Sequence, residues 1–216
     1  MPPESSPTQR VAPTPTETLS HPVTRPSTGD ELRATALAQF ASIGFAGTSL
    51  QQIADAAGYS KSSVLYHFAS KEALLGEVLT PAIDRLEVIL DRFVSAPDGT
   101  RSRRRFVDDF IDFLLEFRLE LHTFINQAQS LRGIPVIDRA GVLIVRLSDT
   151  LCHEGASTED RIRFGIALGG AAYTLVAGMT FFDKDIAPAD EIRQALSVVI
   201  TELLAPVAVH TSQSRK

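Results

Sequence analysis

Cysteine is almost absent from this chain of 216 residues, which has a single one at Cys152. One cysteine cannot form an internal disulfide, so a disulfide-stapled fold is excluded. The chain also lacks the charged n-region, apolar segment and cleavage site that together mark a secretory signal peptide. We therefore expect a protein of the reducing cytoplasm.

Positive charge is not in excess either, because the formal net charge is −5. This balance argues mildly against a nucleic-acid partner, since neutralisation of phosphates usually supplies much of the affinity for DNA. Locally the balance differs. Between Phe45 and Lys71 one negative charge, Asp55, stands against two positive charges, Lys61 and Lys71. The net charge of this segment is therefore +1, which is compatible with binding to an anionic partner.

Alternating strand patterns are missing beyond Gly99, where the apolar residues recur at helical spacing to the end of the chain. An aromatic stripe comes first, and further helices are expected at 136–151, 157–182 and 189–204. No internal repeat is evident. The pattern predicts an all-α protein, with a short N-terminal head and a larger helical body.

Residues 49–71 are the most informative segment, and they begin with a short amphipathic helix. Its apolar stripe at positions i, i+3, i+4 and i+7 consists of Leu50, Ile53, Ala54 and Ala57. Ser49 and Gln52 have the spacing of a capping box at its start. Gly58 follows the last apolar position, where a left-handed residue ends a helix without a Cβ penalty.

A second short helix follows, with Ser60 as its expected cap. Its apolar side chains, which we expect to point inward, are Val64, Leu65 and Phe68. At about 100° per residue, the opposite arc is occupied by Ser62, Ser63, Tyr66 and His67. Each side chain on that arc can form hydrogen bonds. Two short helices with an uncovered polar face predict a helix-turn-helix that reads DNA.

The flanking segments suggest how this motif is connected. Residues 1–28 contain seven of the twelve prolines and ten Ser or Thr, a composition typical of disorder. Thr28 and Glu31 have capping-box spacing before a first helix that ends at Gly44. Ser70 begins a long segment to residue 95, in which Pro81 is expected to bend or break the helix. A basic arm reaching into the minor groove is the alternative for residues 1–28.

With this head, the chain resembles the TetR family of bacterial transcriptional regulators. The matching pattern is Gly44-Phe45, Thr48-Ser49, Ile53-Ala54, Ala57-Gly58, Ser60-Lys61, Leu65-Tyr66-His67-Phe68 and Ser70-Lys71-Glu72. The resemblance implies a three-helix helix-turn-helix head, joined by a long helix to a C-terminal helical ligand-binding and dimerisation body. It also implies a homodimer whose two heads enter successive major grooves about 34 to 36 Å apart on a palindromic operator.

The expected domains are a disordered arm (1–28), the DNA-binding head (29–75), the helical body (76–206) and a flexible tail (207–216). By position in the family pattern, the residues expected at base edges are Lys61, Ser62 and Ser63. Those expected at phosphates are Ser49, Tyr66, His67 and Lys71, and Gln51 lies on the groove side of the first helix. The sequence departs at Leu65, where many members have an aromatic residue.

The resemblance further implies a repressor that is released from its operator by a small, largely apolar effector. The candidate effector-binding residues are Phe106, Phe110, Phe113, Phe117, Phe124, Asn126, Gln127 and Tyr173. The alternative is that these phenylalanines are plain core. The helices at 157–182 and 189–204 are expected to form a four-helix interface between the two copies.

Two features suggest other classes of protein. Residues 164–182 carry no charge over 19 positions and include a GxxxG at Gly165 and Gly169, which suggests a membrane-anchored or scaffold protein whose helix-turn-helix no longer reads DNA. Cys152, His153 and Glu154 are adjacent potential metal ligands or catalytic groups. Consecutive residues on a helix diverge by about 100°, so the three cannot readily face one ion or substrate. We expect no enzyme activity, no metal and no cofactor.

Overall fold

The computed structural model of the protein describes residues 26–97, 99–151, 156–182 and 186–205, and regular structure in these residues is entirely helical. The helices are α1 (Thr28–Ser42), α2 (Leu50–Ala57), α3 (Lys61–His67), α4 (Lys71–Ser95), α5 (Thr100–Glu116), α6 (Arg118–Gln127), α7 (Pro135–Leu151), α8 (Thr158–Gly165), α9 (Ala171–Phe182) and α10 (Ala189–Leu203), with a π-helical turn (Ile166–Gly170) between α8 and α9. The all-α prediction is confirmed. Most of the predicted arm (residues 1–25), the tail (207–216) and the triplet Cys152, His153 and Glu154 lie outside the described residues.

The first helix begins one residue away from the predicted capping box. Ser27, not Thr28, is the cap: its hydroxyl oxygen accepts a hydrogen bond from the Asp30 backbone N–H at 3.2 Å, and the Asp30 carboxylate accepts one from the Ser27 backbone N–H, also at 3.2 Å. The prediction of Thr28 with Glu31 is therefore wrong. Glu31 has another partner, because its carboxylate accepts a 2.5 Å hydrogen bond from the hydroxyl of Tyr59. That bond ties α1 to the turn that precedes α3.

The helix-turn-helix itself forms as its local sequence predicts. Ser49 and Gln52 make the expected capping box at the start of α2. Gly58 adopts a φ of +76°, in the left-handed region, and ends α2. Ser60 then caps α3, its side chain accepting a hydrogen bond from the Ser63 backbone N–H at 3.1 Å. Each of these features depends on residues no more than four apart, which is why the sequence alone predicts them.

Helix α4 connects the head to the body, since it packs against α1 and also against α5 and α7. The break expected at Pro81 does not occur, because α4 is one continuous helix from Lys71 to Ser95. Proline removes one backbone donor, but buried side chains before and after it, such as Val78 and Ala82, hold both halves of the helix against the core. Arg139 of α7 also pairs with Asp84 of α4 at 2.7 Å.

The body is a helical layer around a core of large apolar side chains. Helices α5 and α6 are separated at Phe117, whose φ of −107° and ψ of 39° are not helical. The single helix predicted at 157–182 is a continuous run made of α8, the π-helical turn and α9. A π-turn adds a residue to one helical turn and so rotates the faces on either side of it relative to each other. Within the part of the chain that the structure describes, no helix has both the length and the apolar character needed to cross a bilayer.

Candidate nucleic-acid interface

Helix α3 is anchored by two side chains and exposes nearly all of the rest. Val64 is completely buried and Phe68, the residue that follows the helix, is 4% exposed, whereas Tyr66 is 86% exposed. Leu65 was expected to point inward and does not, being 47% exposed. Two anchors four residues apart are enough to dock a helix of seven residues, and Leu65 lies about 100° around the axis from Val64.

The exposed arc of α3 forms one wall of a shallow groove of about 430 Å³ beside the start of α1. The groove is lined by Thr28, Tyr59, Ser62, Ser63, Tyr66 and His67, each of which carries a polar side-chain atom. The structure therefore brings together four of the residues predicted to bind DNA. Sequence reasoning missed Thr28 and Tyr59, although Thr28 follows the α1 cap immediately and was a recognisable helix start.

His67 lies close to the first turn of α1. A Cβ atom built on Gly29 would stand 3.7 Å from Nδ1 of His67. The first backbone N–H groups of a helix have no partner within the helix, and with the helix dipole they form a favourable site for a phosphate. The histidine ring and the start of α1 thus offer hydrogen-bond donors to one place on the surface.

The serines at the start of α3 differ in their hydrogen bonds and in their exposure. The hydroxyl groups of Ser60 and Ser63 are 3.0 Å apart and share a hydrogen bond, so the Ser63 hydroxyl takes part in the cap of α3. Ser62 and Lys61 are exposed at the start of the helix. Ser49, the cap of α2, and Gln51 in its first turn are also exposed, and the amide of Gln51 donates a 2.7 Å hydrogen bond to Asp55.

Lys71 has a different environment from the one that its sequence position suggests. Its Nζ donates hydrogen bonds to the backbone carbonyls of Phe45 at 2.7 Å and Thr48 at 2.8 Å, and it lies 4.2 Å from the centroid of the Phe45 ring. An external phosphate is therefore not required to explain an ammonium at the start of α4. A phosphate contact by Lys71 stays a prediction, while its contact with the α1–α2 connection is direct.

The candidate effector residues are not gathered around one cavity. Phe106, Phe110 and Phe113 are 3 to 4% exposed, and their rings contact one another in sequence, with centroids 5.8 Å apart for the first pair and 6.0 Å for the second. Phe117 continues the series at 5.5 Å. This geometry favours the interpretation of these rings as core.

The remaining effector candidates are more scattered. Phe124 is half-buried on α6, Asn126 is exposed and Tyr173 is 50% exposed on α9. The side chain of Gln127 contacts the head and does not face the interior of the body. Helix α6 also carries two titratable side chains with shifted pKa values: burial raises the pKa of Glu120 and lowers the pKa of His122. Both shifts favour the neutral form.

Comparison with known proteins agrees with this geometry. Residues 32–78 match the model of the bacterial regulatory proteins, tetR family. Over 49 residues the chain is 53% identical to the HTH-type transcriptional regulator RutR of Escherichia coli, a match that covers 23% of each protein. Over 83 residues it is 39% identical to the HTH-type transcriptional repressor KstR2 of Mycolicibacterium smegmatis, covering 37% of this chain and 39% of the relative. The chain thus matches well under half the length of these relatives.

Solved structures are similar over most of the chain. The ketosteroid transcriptional regulator KstR2 of Mycobacterium tuberculosis has a TM-score of 0.59 at 20% identity, over 82% of this chain and 94% of that one. A TetR-family regulator from Streptomyces coelicolor A3 has a TM-score of 0.62 at 18% identity, over 82% of this chain and 90% of that one. At these identities the likeness shows the fold, a helix-turn-helix domain followed by a helical body.

Proposed function

We propose that the protein is a transcriptional repressor that binds a palindromic operator as a homodimer in the cytoplasm, and the match of residues 32–78 to the bacterial regulatory proteins, tetR family, supports this proposal. The observation that carries the proposal is the exposed polar arc of α3 next to the start of α1. A helix of this kind fits the major groove of DNA, and the neighbouring helix start fits a phosphate.

Within this proposal the polar side chains of the head have separate roles. Lys61, Ser62 and Ser63 at the start of α3 contact base edges, since the first residues of a recognition helix enter the groove most deeply. The residues that hold the sugar-phosphate backbone are Ser49, Tyr66, His67 and Lys71, joined by Thr28 at the start of α1, and Gln51 lies on the groove side of α2. Contacts to phosphate position the head, and contacts to bases give specificity.

Within this proposal, high affinity for the operator requires that two copies of the chain bind it together. The head carries little positive charge, so a single head gains little from phosphate neutralisation. Among the described side chains of α8, the π-helical turn, α9 and α10, the large apolar ones left about half exposed are Ile162, Ile166, Tyr173, Val198 and Val199. Apolar groups at this density on neighbouring helices are typical of a protein interface. We place the homodimer interface on the helices at 157–182 and 189–204.

Release of the operator by a small, largely apolar effector completes the proposal. The residues predicted to contact the effector are Phe124, Asn126 and Tyr173, together with Phe106, Phe110, Phe113 and Phe117, although the packing of these last four rings favours a core role for them. An effector acts only if it binds more tightly to a body whose heads no longer match the operator.

The test is selection of bound sequences from a random pool of double-stranded DNA, repeated with candidate apolar compounds. We expect enrichment of one near-palindrome, and weaker binding of it when an effector is present. Lys61→Ala should lower affinity for the selected operator roughly tenfold or more. Arg103→Ala removes the same charge from an exposed position on α5 and is the matched control. Failure of the wild-type chain to enrich any sequence would favour a scaffold whose helix-turn-helix does not read DNA.

A further inference from the structure

The connection between α1 and α2, which we call the α1–α2 turn (residues 43–48), is held by side chains that lie far from it in the sequence. Helix α1 ends at Ser42, and Gly44, with a φ of +89°, turns the chain away from the helix axis. The carbonyl of Phe40, in the last turn of α1, is one of the four that a helix end leaves without an internal partner. The N–H of Phe45 enters a half-buried position just beyond it.

Gln127, the last residue of α6, binds both of these groups. Its Nε2 donates a 2.8 Å hydrogen bond to the Phe40 carbonyl, and its Oε1 accepts a 2.6 Å hydrogen bond from the Phe45 N–H. A primary amide carries a donor and an acceptor at the same end of the side chain, which a carboxylate or an ammonium does not. The close approach also involves Gly44, where an added Cβ would stand 3.5 Å from Oε1 of Gln127.

Phe45 is thereby held from two sides. Its N–H is bound by Gln127 of α6, and its carbonyl is bound by Lys71 at the start of α4. Its ring is buried and lies 5.3 Å from the ring of Phe40. Both hydrogen bonds are partly shielded from water, and an unpaired half-buried N–H or carbonyl is costly. The α1–α2 turn leads directly into α2 and α3, so its position determines where the reading helix stands.

Helix α6 contacts both the head and another helix of the body. It packs against α1 and also against α9, one of the helices assigned above to the dimer interface. We propose that Gln127 is a positioning residue that fixes each reading head to its body, at the separation that the two half-sites of the operator require. The inference rests on the proposed function. It assigns to Gln127 a role in head orientation in place of the effector contact expected from the sequence.

The experiment compares Gln127→Leu, which loses both hydrogen bonds, with Gln127→Glu, which keeps an acceptor and loses the donor. Gln129→Leu is the matched control, because Gln129 is exposed two residues further along. The first measurement is hydrogen exchange of the Phe45 amide in the full chain. We expect exchange at least roughly tenfold faster in Gln127→Leu than in the wild type or the control, as loss of a protecting contact of this size implies.

The second measurement separates head orientation from general stability. Affinity is determined for the selected operator and for the same operator with one base pair inserted between its half-sites, which turns one half-site by about 34° relative to the other. The wild-type chain and Gln129→Leu should prefer the original spacing strongly. In both Gln127 variants the ratio of the two affinities should fall at least roughly fivefold, because the heads are less constrained.

An unchanged ratio in folded Gln127→Leu and Gln127→Glu, with wild-type exchange at Phe45, would overturn the inference. A wild-type chain that binds no operator at all would instead overturn the proposed function, and the exchange of Phe45 would then still show whether Gln127 holds the head.

Discussion

Helices α3 and α5 have the same backbone geometry and opposite uses. In α3, which has seven residues, Val64 is the single fully buried position. In α5, which has 17 residues, six side chains are buried, among them Phe106, Phe110 and Phe113. A helix that is docked by few anchors has most of its surface available for a partner, whereas one with many anchors contributes chiefly to the core. The head therefore exposes polar side chains on its surface, and the body supplies a buried core that supports the head.

The similarity to known proteins also differs between the head and the body. The family model matches residues 32–78, which lie in the head and at the start of α4, while the solved structures that are similar over 82% of the chain are only 18 to 20% identical to it. A reading face requires particular side chains at particular positions. A helical core tolerates many apolar replacements as long as volume and pattern are kept. Substitutions in the two regions should accordingly have different kinds of effect.

The largest expected effect is on the core of the body. Phe110→Ala removes a ring that is 4% exposed and packed between Phe106 and Phe113, so it should lower the free energy of unfolding by about 3 to 5 kcal/mol. Tyr66→Ala in the head, at 86% exposure, should change it by less than about 0.5 kcal/mol. Unfolding in urea measures both. A cost below about 1 kcal/mol for Phe110→Ala would favour the effector-pocket interpretation of the aromatic stripe over the core interpretation.

The next largest effect is expected at the proposed homodimer interface. Val199→Asp places a charge on an exposed apolar position of α10, so the isolated chain should fold normally and the homodimer should dissociate. Operator affinity should fall at least roughly 100-fold, because simultaneous binding of two linked sites is lost. Val142→Asp on α7, where the side chain is 71% exposed, is the control. Equal loss of dimer in both variants, measured by sedimentation, would place the interface elsewhere.

The smallest effect tests the local structure of the head. The hydroxyl of Ser27, together with Arg33, lowers the pKa of Asp30 from 3.8 to about 2. In Ser27→Ala the pKa should rise towards its ordinary value, which NMR titration of the Asp30 carboxyl would show. Because the folded pKa is the lower one, this carboxylate stabilises the start of α1 above about pH 4, and its contribution is lost as the pH falls towards 2. An unchanged pKa in Ser27→Ala would mean that Arg33 and the Ser27 backbone N–H, which the substitution leaves in place, are responsible.

Most of the head follows from its sequence because its features are short in range. The Ser49 and Gln52 capping box, the left-handed Gly58 and the cap at Ser60 each involve residues at most four apart. The same local rules misplace the start of α1 by one residue, since Ser27 and Thr28 are both able to cap and the pairing with Asp30 decides between them. They also predict a bend or break at Pro81, whereas α4 continues through the proline, with buried side chains before and after it.

By itself, the sequence determined the all-α class, the caps of the helix-turn-helix and the polar arc formed by Ser62, Tyr66 and His67. These depend on helical periodicity and on groups adjacent in the chain. Only the tertiary structure decided where the long flexible side chains of Lys71 and Gln127 point. Their partners, in the α1–α2 turn and in the last turn of α1, lie 23 to 87 residues away. A side chain of this kind binds whichever unpaired backbone groups the fold brings within reach, and helical periodicity contains no information about those groups.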